Sequence, residues 1–166
     1  MEGLALFYYL TFNSLMGQII GLSDGSNLTG LYFENQVARP AIHNDWICHS
    51  NIKVLSKLKH QINSYFTAER DVFNLPLKFT GTDFQKSIWT ALQLIPYGNT
   101  ISYSDLAQKI GRPGSHRAVA NAVSRNPISI IIPCHRVIAK NGSIAGYAGG
   151  VYRKKKLLQL ESRGRI

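Results

Sequence analysis

The sequence predicts a mixed α/β (α+β) fold in two parts. A small antiparallel sheet with helices is expected over residues 1–78, and a helical, winged-helix-like domain over 79–166. Three observations predict this. Short β-prone runs separated by a turn cluster fill the first part. Two short helical segments joined by a glycine-containing turn open the second. An Asn-Gly pair between short apolar runs then marks a hairpin where a wing would stand.

Leu4 to Phe12 is rich in Leu, Phe and Tyr and suits a strand. Gly17 to Leu22 and Gly30 to Phe33 are further β-prone runs, separated by the turn cluster Ser23-Asp24-Gly25-Ser26-Asn27. From Ile52 to Thr67 the apolar residues Ile52, Leu55, Leu58, Ile62 and Tyr65 or Phe66 recur at helical spacing. Leu75-Pro76-Leu77 breaks the pattern and begins the passage between the parts. Thr82 or Asp83 can cap a helix from Phe84 to about Ile95, and Pro96-Tyr97-Gly98-Asn99 turns the chain. Ser102 can cap a helix from Tyr103 to Ile110, which Gly111-Arg112-Pro113-Gly114 stops. A third helix is expected from about Ser115 to Arg125, ended by Asn126-Pro127. Ile128 to Ile132 reads as a buried β-branched run. Val137-Ile138-Ala139 and Ser143-Ile144-Ala145 flank Asn141-Gly142 as a hairpin, and Arg153 to Glu161 closes the chain as a helix.

The chain has 166 residues, 45% hydrophobic and 17% charged, which excludes disordered and coiled-coil classes. The formal net charge of +10 is unevenly spread. Residues 1–80 hold six basic and six acidic residues, whereas 81–166 hold 13 basic residues and three acids, Asp83, Asp105 and Glu161. A polyanionic partner is therefore expected on the second part. The two cysteines, Cys48 and Cys134, cannot build a disulfide framework, so a reduced, intracellular protein is expected. Met1 to Leu10 is apolar but lacks a basic n-region and a small-residue cleavage site, and no run reaches transmembrane length. Cytoplasmic location, nuclear in a eukaryote, with no membrane partner, is the expectation. The spacing around Cys48, in His43-Asn44-Asp45-Trp46-Ile47-Cys48-His49, fits no common metal-ligand pattern, so a semi-buried structural thiol and no metal are expected.

Cys134 lies in Ile132-Pro133-Cys134-His135-Arg136-Val137. A thiol becomes a strong nucleophile when a cationic or hydrogen-bonding neighbour favours the thiolate. His135 and Arg136 are such neighbours. Adjacent side chains seldom point together, so a bridging water between His135 and Cys134 solves the geometry better than a direct bond. The histidine needs an orienting acid. Asp83 suits a helix cap and Asp105 a solvated helix position, which leaves Glu161 as the best candidate. The plain alternative, on composition alone, is a buried inert thiol.

From Phe84 to Glu161 the chain closely resembles the O6-alkylguanine-DNA alkyltransferases. The carriers are Pro133-Cys134-His135-Arg136-Val137, Asn126-Pro127, Phe84-Gln85-Lys86-Ser87-Ile88-Trp89, Ile95-Pro96-Tyr97-Gly98, Ser102-Tyr103 and Gly146-Tyr147-Ala148-Gly149-Gly150. Phe12 to Phe33 resembles the family's ribonuclease H-like N-terminal domain more weakly. The resemblance implies a single-turnover repair reaction in which Cys134 keeps the alkyl group of O6-alkylguanine, and of O4-alkylthymine as well, with no metal or organic cofactor. It implies His135 as base through a water, Glu161 as its orienting acid, and Tyr103 as proton donor to guanine N3. The Val137 carbonyl would hold the exocyclic amine. Tyr147 and Ala148 would line the pocket, Gly149 and Gly150 would leave room for the alkyl group, and Asn126 would brace the loop. On the DNA side it implies a base flipped out through the minor groove. Arg117 would be the wedging finger, beside Asn121, Arg125 and the small Ala118 and Ala122, with Tyr103 crowding the target phosphate.

The expected partner is double-stranded DNA carrying O6-alkylguanine, bound by a monomer. Departures from the family pattern are Ser14-Leu15-Met16-Gly17, where many members have Ser-Pro-Leu-Gly, and Lys156, where Trp is common. Ala148 lacks a hydroxyl that some members carry, which bears on alkyl preference. Arg153-Lys154-Lys155-Lys156 reads as a solvated face that adds salt-dependent phosphate attraction. The competing readings are a lesion-binding protein without transfer, a winged-helix regulator sensing electrophiles through Cys134, and a cysteine hydrolase.

Overall fold

A computed structural model describes residues 6–163. The chain divides into two compact units, Met1–Phe79 and Thr80–Ile166.

The first unit is a four-stranded sheet with one helix. Strands β1 (Tyr8–Ser14), β2 (Gly17–Ser23) and β3 (Leu28–Phe33) run antiparallel, and with β4 (Ile47–Cys48) they make the order β3-β2-β1-β4. Ser14 pairs with Gly17, so Leu15 and Met16 form a two-residue turn. Gly17 takes φ 100°, a left-handed value that a side chain resists. The turn cluster is held by Asp24, whose Oδ1 accepts from the backbone N–H groups of Ser26 (3.1 Å) and Asn27 (2.8 Å). The edge strand β4 (Ile47–Cys48) lies parallel to β1 and has no periodic signal at only two residues. Leu4 and Ala5, the start of the expected first strand, lie outside the described residues. Helix α1 (Lys53–Phe66) buries Val54, Leu55, Leu58, Ile62, Tyr65 and Phe66 and packs on β1 and β2. Cys48 is exposed rather than semi-buried, because it lies on a two-residue strand at the sheet edge whose two residues are both exposed.

In the second unit, α2 (Asp83–Gln93) starts with a capping box between Thr82 and Gln85. Ser102 caps α3 (Tyr103–Lys109) by accepting from the N–H of Asp105 (3.0 Å). A turn with Gly111 and Gly114 at positive φ then leads to α4 (His116–Ser124). Helices α2, α3 and α4 pack together, and the Trp89 indole N–H donates to the Ala122 carbonyl (2.9 Å). The core is Ile88, Leu92, Leu106, Val119, Ile128, Ile132 and Leu157, each fully buried. α5 (Val151–Arg163) closes the unit.

The expected wing hairpin does not form a ladder. Val137–Ile138 (β6) instead pairs in parallel with Ile101–Ser102 (β5). Asn141-Gly142 does turn the chain, with Ala139 N–H donating to the Ser143 carbonyl (3.1 Å). The return arm is then diverted, because Lys154 Nζ takes the carbonyls of Ala145 (3.4 Å) and Gly146 (3.1 Å). Among the described residues no helix is long and apolar enough to cross a membrane.

Candidate active site and nucleic-acid interface

Cys134 opens a single 3-10 turn, Cys134–Arg136, after Pro133 and the mostly buried segment 128–132. The turn makes consecutive side chains diverge by about a third of a circle. It therefore sends Cys134, His135 and Arg136 to three different partners.

Asn126 sits at the end of α4 and is 3% exposed. Its Nδ2 donates to the Ile132 carbonyl (2.7 Å) and to Cys134 Sγ (3.1 Å), and its Oδ1 accepts from Ile128 N–H (2.9 Å). One amide thus ties α4 to the loop and to the sulfur. The thiol is 4% exposed, and burial pushes its pKa up. Asn126, the Lys154 ammonium, a backbone N–H and Tyr147 pull the other way without overcoming burial. At rest Cys134 is therefore a protonated thiol that needs a base.

Glu161 collects the neighbouring charges. His135 Nε2 lies 2.7 Å from Glu161 Oε1. Arg136 donates through Nε to Oε2 (2.9 Å) and through Nη2 to Oε1 (2.9 Å), and Gly98 N–H donates to Oε2 (3.1 Å). Burial alone would raise the Glu161 pKa, but the hydrogen bonds and charges of His135 and Arg136 outweigh it and hold the carboxyl well below its usual range. An ionised carboxylate only accepts, so His135 carries its proton on Nε2 and leaves Nδ1, on the far side of the ring from Glu161, as the basic nitrogen. Nδ1 is buried and has no protein partner. Burial lowers the His135 pKa despite Glu161, which keeps the imidazole neutral.

These shifts carry a stability prediction. Both His135 and Glu161 titrate lower in the fold than unfolded, where they titrate at about 6.5 and 4.3. Their contribution is complete above those unfolded values and is lost as pH falls toward the folded ones. Urea unfolding should show flat stability near neutrality and a decline beginning at about pH 6.5. A stability that rises between about pH 6.5 and 5 would contradict the assignment.

Two groups differ from the sequence expectation. Arg136 does not serve the thiol; it forks onto Glu161 and donates through Nη1 to the Ile95 carbonyl. Lys154 is not on a solvated face. It is 1% exposed and donates to the carbonyls of Val137 (2.5 Å) and Gly146, which places the cationic neighbour of Cys134 on α5. Lys154, Leu157 and Glu161, at i, i+3 and i+7, form one helical face. The apolar Leu157 between them is the signal that could have turned Lys154 inward on paper.

Tyr103, the first residue of α3, is half-buried with its ring 5.9 Å from Lys154 Nζ. Burial, and then the charge of Cys134, raises its pKa, so it keeps its proton near neutrality. The Tyr147 hydroxyl is buried beside Cys134 and Ser129, without a partner at full hydrogen-bond geometry. Ala148 is half-buried, and Gly149 is buried with its carbonyl accepting from Arg153 Nη1 (2.8 Å). The Val137 carbonyl is already engaged by Lys154, which leaves its second lone pair for a ligand.

On α4 the exposed face carries Arg117, Ala118, Asn121 and Arg125. Arg125 Nε donates to Asn121 Oδ1 (3.2 Å). Ala122 does not share that face. It is 3% exposed and belongs to the buried side of the helix with Val119 and Val123. Among the described residues no group of three His, Cys, Asp or Glu side chains could hold a metal ion.

Comparison with known proteins places this geometry. Residues 83–163 match the DNA-binding domain of 6-O-methylguanine DNA methyltransferase, and residues 7–79 match its ribonuclease-like domain. A methylated-DNA–protein-cysteine methyltransferase of Methanosarcina barkeri is 44% identical, over 93% of this chain and 96% of its own. One from Haemophilus influenzae is 42% identical, over 93% and 86% respectively. The crystal structure of Mycobacterium tuberculosis OGT in complex with DNA superposes with a TM-score of 0.88 at 42% identity, covering 95% of this chain and 94% of that one. With both domains matched in order, and with a buried thiol, a histidine and a glutamate brought together in the second, the chain belongs to the 6-O-methylguanine DNA methyltransferase family.

Proposed function

We propose that this protein repairs DNA directly by moving the alkyl group of O6-alkylguanine onto Cys134. The observation that supports it most is the ordered set His135 Nε2–Glu161 Oε1 at 2.7 Å beside a buried, protonated thiol. His135 Nδ1 takes the thiol proton through a water, and Glu161 stabilises the imidazolium that forms. The thiolate attacks the alkyl carbon, the S–C bond forms, and the C–O6 bond breaks with its electron pair passing to guanine. Tyr103 gives its proton to guanine N3, so the base leaves neutral. The Lys154 ammonium, by the sulfur and the Tyr103 ring, offsets the charge that appears on either. A thioether has no leaving group suited to reversal, so each molecule reacts once.

The substrate reaches a buried sulfur only as a flipped base. The exposed face of α4 enters the minor groove, Arg117 fills the vacated stack, and Ala118 permits close approach. Asn126 links that helix to the reacting sulfur. Tyr147 and Ala148 line the pocket, with Gly149 beside them and the Val137 carbonyl receiving the exocyclic amine. The protein works as a cytosolic monomer, residues 79–166 carry the reaction, and O4-alkylthymine is a second substrate.

Intact-mass measurement after incubation with O6-methylguanine duplex tests the reading. One methyl on Cys134 and no further turnover is expected. An unchanged mass with tight lesion binding would favour a lesion-binding protein, and repeated turnover a hydrolase. Preference for one undamaged sequence would favour a thiol-sensing regulator. Arg117→Ala should slow transfer from duplex DNA by about 10-fold or more, the equivalent of about 1.4 kcal/mol, while changing undamaged-DNA affinity less. Normal duplex repair by this variant would remove Arg117 from the wedging role.

A further inference from the structure

Helix α5 carries five cations, Arg153, Lys154, Lys155, Lys156 and Arg163, and one acid, Glu161. The acid is buried and fully used by His135, Arg136 and Gly98. Lys154 points inward, and Arg153 is tied to the Gly149 carbonyl. The exposed residues of α5 are therefore Val151 at its start, then Tyr152, Lys155, Lys156, Gln159, Ser162 and Arg163. Tyr152 is 70% exposed, and Lys156 Nζ stands 5.6 Å from its ring centroid, a cation–π contact that orders both side chains. No exposed carboxylate on α5 balances this face, so its lysines repel one another in the free protein. The other two acids of the unit do not lie on α5: Asp83 starts α2, and Asp105 accepts from Ser102 Oγ (2.7 Å) on α3.

The position of the stripe matters as much as its charge. α5 begins directly after Gly150, and its first turn is bound to the Ala145–Gly149 loop through Arg153 and Lys154. Within that loop Tyr147 lies beside Cys134. The stripe therefore starts next to the loop that carries Tyr147 to the thiol and continues along a second helix, separate from the exposed face of α4.

We propose that Tyr152, Lys155 and Lys156 form a second phosphate-binding surface for the duplex whose lesion occupies the pocket. Lys155 and Lys156 each neutralise one backbone phosphate flanking the lesion, and Tyr152 holds Lys156 in place. This rests on the repair reading above. Contacts of this type carry no base information and release counterions, so they appear in the salt dependence of binding.

The test measures the affinity of the full chain for a duplex with one O6-methylguanine against salt concentration, using the Cys134→Ser form so that no transfer intervenes. The double variant Lys155→Gln/Lys156→Gln should lower the slope of log K against log salt by about 1.8, two phosphates at about 0.9 each. Lys57→Gln/Lys59→Gln removes the same charge from the exposed side of α1 and should leave the slope unchanged. In the Cys-containing chain, the α5 variant should react normally with a free O6-alkylguanine base, which has no phosphates. An unchanged slope in the α5 variant overturns the proposal, as does an equal drop in the α1 control, which would reflect net charge alone. If the parent chain neither binds lesion DNA nor gains an alkyl group, the repair reading itself fails; if it does both and only the slope result is negative, only the α5 surface is lost.

Discussion

Cys134→Ser is expected to abolish alkyl transfer while leaving DNA binding intact. A serine hydroxyl has a pKa far above that of the thiol, and the neutral His135 cannot remove its proton to a useful extent. The substitution is close to isosteric, and the site makes few demands on the sulfur beyond one hydrogen bond from Asn126. The hydroxyl accepts the same bond, so the loop and α4 keep their positions. Transfer should fall below detection in an intact-mass time course, with lesion-duplex affinity within a few-fold of the parent. Residual transfer at a tenth of the parent rate would mean that another nucleophile is at work. Cys48, exposed on β4 in the first unit, is then the residue to replace next.

Glu161→Gln should cost about 3–5 kcal/mol of stability, the range for breaking a buried ion pair by removing one partner. The carboxylate is fully buried and Arg136 is 6% exposed, so neutralising Glu161 leaves a guanidinium with no counter-charge in the interior. The damage spreads because the same oxygens receive Gly98 and His135, and Arg136 also holds the Ile95 carbonyl. Against a total stability of about 5–15 kcal/mol this is a large fraction. Urea unfolding measures it directly. The double variant Arg136→Met/Glu161→Gln should lose less than the sum of the two single changes, since it removes the stranded charge. A loss below about 1 kcal/mol for Glu161→Gln would show that the cluster contributes like a surface pair. Transfer should slow as well, even where the variant is folded, because an amide stabilises the imidazolium less than a carboxylate.

Much of this was legible in the residues. The strands of the first unit announced themselves by composition and by a turn cluster whose side chain, Asp24, hydrogen-bonds its own backbone. α2, α3 and α4 came from caps and breakers, which act within a few residues and so are visible locally. β4 was not legible, because two residues carry no period and their partners lie far back in the chain, Tyr8 for Ile47 and Tyr9 for Cys48. The wing failed for a related reason: Asn141-Gly142 sets the turn, but the strand after it loses its carbonyls to a lysine on α5.

The sequence by itself determined the family, the two-part organisation, the candidate nucleophile Cys134, and the pairing of His135 with Glu161. The pairing was reachable because acids are so scarce in the second half that elimination left one. What only the tertiary structure decided is how the cations are shared out. Arg136, two residues from the thiol in sequence, serves Glu161, while Lys154, far along the chain in a run that reads as solvated, is the buried ammonium near the sulfur. The physical reason is that a buried charge goes where acceptors converge. A 3-10 turn directs neighbouring side chains apart, and a helix places its residues by angle, so distance in the chain says little about which cation meets which anion.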